Sequence, residues 1–257
     1  MPKKRHWYFD PRKYHVRTST VSEFPHGHLI KTHSHLWAQL LYASHGVMTV
    51  RTAEGAWVVP PNRGAWIPAR TRHSVQMSGA VSMRTLYLAP SLSASQPNRC
   101  RVLAISPLLR ELILRMVELR DLHLRVPAHA HLVSVLLDHL RTVESDAVHL
   151  PLPRDARARR IAAVLREQPC DSRSLIELSK IAGASKRTVE RLFKSETGLG
   201  FGKWRQQLRL GHALRLLAAG QAVTNVALEV GYDSPSAFIS AFRMTFGKTP
   251  GQYFRAA

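Results

Sequence analysis

Residues 226–255 read VALEVGYDSPSAFISAFRMTFGKTPGQYFR. Ser234-Pro235 has the chemistry of a helix start: a hydroxyl able to accept from a first-turn N–H, then a proline whose fixed φ suits the first helical position. Beyond it Phe238, Ala241 and Phe242 recur at the i, i+3, i+4 spacing of one buried helix face. That phase leaves Ser236, Ala237, Ser240 and Arg243 on the opposite face. A preceding helix and a turn at Gly231 make this a helix-turn-helix over about residues 223–247. One arginine among small residues suits close approach and backbone anchoring more than dense base reading.

The same plan stands earlier, at residues 174–204: SLIELSKIAGASKRTVERLFKSETGLGFGKW. Aligning Ser185 with Ser234 gives an offset of 49, at which Val189 falls on Phe238, Phe193 on Phe242, Gly198 on Gly247 and Trp204 on Tyr253. Upstream the copies slip by one residue, Gly183 against Gly231. Ser174 with Glu177 three positions on is a capping box, and Gly183 suits a left-handed helix end. Ser185 starts the second helix of a unit spanning about 174–198, with Val189, Leu192 and Phe193 turned inward. Its outer face carries Lys186, Arg187, Glu190, Arg191 and Lys194. Such a helix can enter a major groove, where arginine bonds guanine in bidentate fashion and lysine neutralises phosphate. Between the copies lies a helix from about Gly202 to Ala219, stopped by Gly220. At 1.5 Å per residue it is roughly 27 Å long, a rod able to hold two recognition helices about one DNA turn, ~34 Å, apart.

Charge agrees with a nucleic-acid partner. The 257 residues hold 37 Lys and Arg against 17 Asp and Glu, a net of +20. An excess of this size favours a polyanion, nucleic acid before an anionic membrane surface. Residues 154–257 carry 18 basic against 8 acidic side chains, the denser share of that excess. Histidine is distributed the other way: of 14, all but His212 lie at or before His149. Two regions of different chemistry imply two domains with two tasks. Two distant cysteines, Cys100 and Cys170, make neither a disulfide framework nor a zinc cluster and suit a reducing cytoplasm. No apolar run approaches the ~20 residues that span a bilayer. The start, MPKKRHWYFDPRK, lacks the apolar core of a secretion signal and is expected to be a solvated tail.

From about 18 to 90, short Val, Trp, Tyr and Leu runs alternate with Gly and Pro turns, the pattern of a small sandwich or barrel. Two helices are expected next. One follows Ser106-Pro107 with Leu109, Leu112, Ile113, Met116, Val117 and Leu119 on its apolar face. The other runs from about Ala128 to Val143 with Leu132, Val135, Leu136 and Leu140. This extension, 106–145, can finish the domain core or form a homodimer seam. Pro151 and Pro153 place the boundary near residue 150, giving domains of 1–150 and 151–257.

Residues 155–255 resemble the DNA-binding domain of the AraC/XylS transcription regulators, most specifically in the G-Y-D-S-x-S-x-F-x-x-x-F-x-x-x-F-G-x-T-P pattern from Gly231 to Pro250. The resemblance implies seven helices, two helix-turn-helix units, and promoter control, activating or repressing, by an N-terminal sensing domain. It implies double-stranded DNA and RNA polymerase as partners. It also implies base contacts from Lys186, Arg187, Glu190 and Arg191, and from Ser236, Ala237 and Ser240. The N-terminal half resembles a cupin β-barrel: His33-x-His35, Gln39 and Gly46 match its first motif, and Gly64, Pro68 and His73 its second. The fold expected is therefore α+β in two domains, a cupin-like barrel with trailing helices and then an all-α domain.

On a strand, residues 33, 35 and 39 share one face, and His73 can come alongside in a closed barrel. Three imidazoles and an amide could hold a divalent metal or hydrogen-bond a small effector. Gln39 stands where a catalytic cupin has a carboxylate, and an amide is a poor ligand and no base. This favours a sensor pocket over the alternative, a metal-dependent cupin enzyme fused to a DNA-binding module. Partly exposed strand histidines without a ligand, and a constitutive DNA binder, are the plainer readings. Trp37, Tyr42 and Trp66 are candidate pocket walls or core, and His26, His28 and His45 lie near enough in sequence to join.

Overall fold

The computed structural model describes residues 16–143 and 149–255; the basic N-terminal stretch lies outside them. The chain divides into two compact units. The first holds the described residues up to Ala53 and from Val59 to Val143; the second holds Glu54–Val58 and the described residues from His149 on. Among the described residues no helix is long and apolar enough to cross a membrane.

In chain order the strands are β1 (Val16–Phe24), β2 (Leu29–His33), β3 (Ala38–Arg51), β4 (Gly55–Val59), β5 (Arg63–Ile67), β6 (His73–Leu88), β7 (Arg101–Ala104), β8 (Asp121–Leu122) and β9 (His149–Pro151). The first unit is built on the two longest. β3 and β6 pair antiparallel from Ala38 opposite Leu88 to Arg51 opposite Ser74. Neighbouring strands run β7-β5-β3-β6-β1-β8, and β2 also pairs with β6. Along β6, His73, Val75 and Met77 are buried while Ser74 and Gln76 are only partly so, the period-two signature of a strand with one face inside. The β3–β6 ladder breaks register around His45. There Gly46 has φ +75°, and a Cβ on it would lie 2.3 Å from the Ala80 carbonyl oxygen. Only glycine fits that bulge.

One face of this sheet is covered by two helices, after a short turn of helix α1 (Pro90–Ser93). Helix α2 (Pro107–Leu119) starts on Ser106, whose hydroxyl accepts from the Leu109 N–H, and buries Leu109, Leu112, Ile113, Met116 and Val117. Helix α3 (Pro127–Thr142) buries Val133, Leu136 and Leu140. The expected stripe is thus corrected by one position: Val135 is 42% exposed and Val133 takes its place inside. Positions 133, 136 and 140 are spaced i, i+3, i+7, one face of a 3.6-residue helix, whereas 135 lies off it. Tyr42 and Trp66 pack in this core with Leu40, Leu86 and Met116.

The second unit holds seven helices among its described residues: α4 (Ala156–Glu167), α5 (Leu175–Ala182), α6 (Lys186–Thr197), α7 (Phe201–Ala218), α8 (Val223–Glu229), α9 (Pro235–Phe246) and α10 (Pro250–Arg255). β9 pairs with β4, Trp57 opposite His149, and the two rings stack at 4.5 Å and 11°. The core gathers Ile161 and Leu165 of α4, Leu178 of α5, Val189 and Phe193 of α6, and Trp204 and Leu208 of α7.

Candidate functional site

Local chemistry sets both helix-turn-helix units. Ser174 and Glu177 close the capping box on α5, and Gly183 ends that helix at φ 65°, ψ 40°. Helices α6 and α9 are then built alike. Each has 12 residues. Each starts on a serine whose hydroxyl accepts from a first-turn N–H, Ser185 from Thr188 and Ser234 from Ala237. Each ends on a left-handed glycine, Gly198 at φ 73° and Gly247 at φ 74°. The packing repeats too. Trp204 meets Phe193 edge-on at 5.1 Å, and 49 positions later Tyr253 meets Phe242 at 5.6 Å. In both units an aromatic ring from a following helix fixes the inner face of the second helix, so the outer face is presented in a defined orientation.

On α6 that outer face exposes Lys186, Arg187, Glu190, Arg191 and Lys194. Lys186 and Glu190 form a solvent-exposed i, i+4 pair at 3.9 Å, worth little to stability. Lys194 donates to the Gly198 carbonyl oxygen at 3.3 Å. Among the described residues neither Arg187 nor Arg191 has an acidic partner. On α9, Ser236, Ala237, Ser240 and Arg243 are exposed, while Phe238 and Phe242 are fully buried and Ala241 is half-buried.

Sequence reasoning missed a residue that holds the two units. Arg209 of α7 donates from Nε to the Pro169 carbonyl oxygen (3.2 Å), from Nη2 to that of Asp171 (3.0 Å) and from Nη1 to that of Gly231 (2.8 Å). The first two carbonyls precede α5 and the third lies in the turn before α9. In sequence Arg209 is one more basic residue on a charged helix, indistinguishable from a solvated face.

In the first unit, His33, His35 and His73 come together, with a ring nitrogen from each within 4.8 Å of the others. The local geometry differs from a single alternating strand. β2 ends at His33, His35 lies in the connection, and Gln39 is on β3. The antiparallel register places His33 opposite His73, after a shift between Ile30 and His33. His35 reaches the same point because its Nδ1 is held 2.6 Å from the Trp37 carbonyl oxygen. Nδ1 of His33 lies 2.8 Å from the Lys31 carbonyl oxygen and that of His73 2.9 Å from the Thr71 carbonyl oxygen. Burial lowers the His73 pKa to about 4 and lowers that of His35 as well, so both rings are neutral near pH 7.

Gln39 is buried and touches His35 rather than standing beside it as a further ligand. Its Oε1 lies 3.0 Å from His35 Nε2, and its Nε2 lies 3.2 Å from the Tyr87 hydroxyl. A neutral His35 carrying its proton on Nδ1 has only a lone pair at Nε2. The amide satisfies that lone pair when turned so that its NH2 donates to His35 and its oxygen accepts from Tyr87. Tyr87 is a second residue that sequence reasoning missed; its ring sits edge-on to His35 at 5.3 Å. Trp37 packs with Tyr87 and Ala89 beneath the cluster. His26, His28 and His45 are exposed and take no part in it.

Two family matches cover this architecture. The family described as an AraC-like ligand binding domain matches residues 9–162, and a helix-turn-helix domain family matches residues 178–256. The chain belongs to the AraC family of transcription regulators. Like other AraC-family proteins it joins an N-terminal ligand-binding domain to a C-terminal DNA-binding domain. It is 36% identical over 221 residues to the HTH-type transcriptional regulator NimR of Escherichia coli (strain K12), covering 86% of this chain and 81% of that one. It is 40% identical over 103 residues to the HTH-type transcriptional regulator RipA of Corynebacterium glutamicum, covering 40% of this chain and 31% of RipA. Among solved structures it is similar to the DNA-binding domain of AdpA, a global transcriptional factor crystallised with a target DNA. That match is 30% identical, covers 40% of this chain and 93% of the other, and has a TM-score of 0.38.

Proposed function

We propose that this AraC-family regulator reads its operator through the outer faces of α6 and α9 and is governed by an effector held at His33, His35 and His73. The observation that carries the DNA half is the repeated build of α6 and α9: the same serine start, glycine stop and aromatic brace, with polar side chains outward in both. Arg187 and Arg191 supply base contacts, Lys186 and Lys194 phosphate contacts, and Glu190 an acceptor for a base donor. Ser236, Ala237, Ser240 and Arg243 allow close approach and anchor the second helix. Arg187→Ala or Arg191→Ala is expected to weaken operator binding by ~1–3 kcal/mol in a titrated gel-shift assay. An equal loss on random DNA would remove the base-reading role.

The pocket half rests on the convergence of three imidazoles in the ligand-binding domain. Among the described residues no carboxylate belongs to that cluster and Gln39 supplies no base, so sensing is favoured over turnover. A combined His33→Ala, His35→Ala variant should bind the operator as wild type does without effector and lose the effector response. Loss of operator binding by a folded double variant would overturn the assignment. RNA polymerase at the promoter, a second copy of the chain as homodimer partner, and the cytoplasm as the place of action belong to the same reading.

A further inference from the structure

Helix α7 carries a buried glycine at its middle, Gly211, where every residue type but proline makes a better helix. Such a glycine asks for a packing reason. A Cβ there would lie 3.3 Å from Val58 Cγ2, tighter than an ordinary contact. Glycine lets Val58 sit directly on the helix backbone. Val58 comes from far earlier in the chain. Its segment, Glu54–Val58, belongs to the helical unit, although the chain enters it from Ala53 and leaves it for Val59, both in the first unit. Gly55, Ala56 and Trp57 pair antiparallel with Pro151, Leu150 and His149, and the Leu152 N–H donates to the Glu54 carbonyl oxygen at 3.3 Å. A Cβ on Gly55 would lie 2.5 Å from the Leu150 carbonyl oxygen, so the two strands meet this closely only with glycine there. Trp57 is buried against the His149 ring. The partner strand β9 is fixed to α7 in turn. Leu150 joins Trp204 and Leu208 in the helical core, and the Pro151 carbonyl oxygen accepts from the Trp204 indole N–H at 2.7 Å. Trp204, Leu208 and Gly211 are spaced i, i+4, i+7, one face of α7, and the β4–β9 ribbon meets the helix on that face.

We infer that Glu54–Val58 is a working strand of the DNA-binding unit, and that Val58 and Trp57 are positioning residues for operator binding. Val58 seats on α7 at Gly211, and Trp57 holds the ribbon through His149. Helix α7 lies between the two helix-turn-helix units in sequence and is bonded or packed to both. Trp204 braces Phe193 of α6, and Arg209 donates to the Gly231 carbonyl oxygen before α9. Whatever fixes α7 therefore fixes how α6 and α9 are presented together. A DNA-binding fragment cut from the chain near residue 150 lacks this strand. In the whole chain the strand is joined at both ends to the first unit, so α7 is held by a piece that the ligand-binding half of the sequence supplies. The inference rests on the reading of α6 and α9 given above.

The test is a double-mutant cycle in the full-length chain, read as affinity for the operator and for random-sequence DNA, under conditions where circular dichroism shows each variant folded. Gly211→Leu drives a side chain into Val58 and is expected to weaken operator binding by about tenfold, the scale of overpacking a filled contact. Val58→Ala should weaken it by about threefold. The combined Val58→Ala, Gly211→Leu variant should regain most of the Gly211→Leu loss, because the shortened side chain makes room for the added one. Trp57→Ala should lose about fivefold and Trp57→Phe, which keeps a ring on His149, should stay near wild type. Binding to random DNA asks for no fixed spacing of α6 and α9 and should change by less than about twofold throughout. Additive losses for the Val58 and Gly211 variants, or unchanged operator affinity in Gly211→Leu and Trp57→Ala, overturn the inference. Equal losses on both DNAs overturn it too, reducing Trp57 and Val58 to stabilising residues. Arg187→Ala on the same operator separates the two levels. No effect of that variant removes the reading of α6, while a coupled Val58–Gly211 response still keeps the strand at work on α7.

Discussion

Trp204→Ala is expected to lower the stability of the helical unit by about 3–5 kcal/mol, the range for deleting a large aromatic from a packed core. Trp204 is wholly buried. Its ring lies edge-on to Phe193 of α6 at 5.1 Å, among Ile161, Leu178 and Val189. Its indole N–H donates to the Pro151 carbonyl oxygen at 2.7 Å. Alanine leaves a cavity and strands that carbonyl, so the transfer, cavity and hydrogen-bond costs fall together. Trp204→Phe retains most of the ring contact and loses the bond, for which a cost of about 1–2 kcal/mol is expected. Urea denaturation followed by helical circular dichroism measures both. Phe193 is on the inner face of α6, opposite Arg187 and Arg191, so a loosened brace should also reduce operator affinity under conditions where the variant is still folded. A loss below about 1 kcal/mol for the alanine variant would mean that this contact does not position α6.

The helical half was legible in sequence because its decisive features are local. A serine start, an i, i+3, i+4 apolar set and a glycine stop act within a dozen residues. Writing them twice at an offset of 49 exposed the two-unit plan, which the structure carries from Ser185 to Gly198 and from Ser234 to Gly247. The histidine cluster was legible in its members but not in its construction. Nothing local says that β2 stops at His33, that a register shift sets His33 opposite His73, or that His35 is turned in by the Trp37 carbonyl. Gln39 was read as a fourth group facing the ligand because Tyr87, the partner that engages its other end, lies 48 residues away. The α3 error has a similar origin. Leu132, Val133, Val135 and Leu136 offer two apolar phases, and only packing against α2 and the shared core selects the one that buries Val133.

Arg209→Ala is expected to cost roughly 3 kcal/mol and, more tellingly, to relax the dependence of operator binding on the spacing between half-sites. Hydrogen bonds from a charged donor contribute ~1.5–3 kcal/mol each and are not additive when they share one group. Here one guanidinium serves three main-chain oxygens, two ahead of the first helix-turn-helix and one inside the second. Gly231 permits the approach. Its φ is +85°, and a Cβ there would lie 2.8 Å from Arg209 Nη2. Lysine cannot reproduce the planar fork, so Arg209→Lys should fall between wild type and alanine. Inserting one base pair between half-sites rotates the second by about 34° around the duplex. Wild type, with both units fixed to α7 through Arg209, should lose affinity steeply on such operators. The alanine variant should start weaker on the native operator and lose less with each change in spacing. Parallel losses for the two proteins at every spacing would reduce Arg209 to a stabilising residue with no part in setting how far apart α6 and α9 meet the DNA.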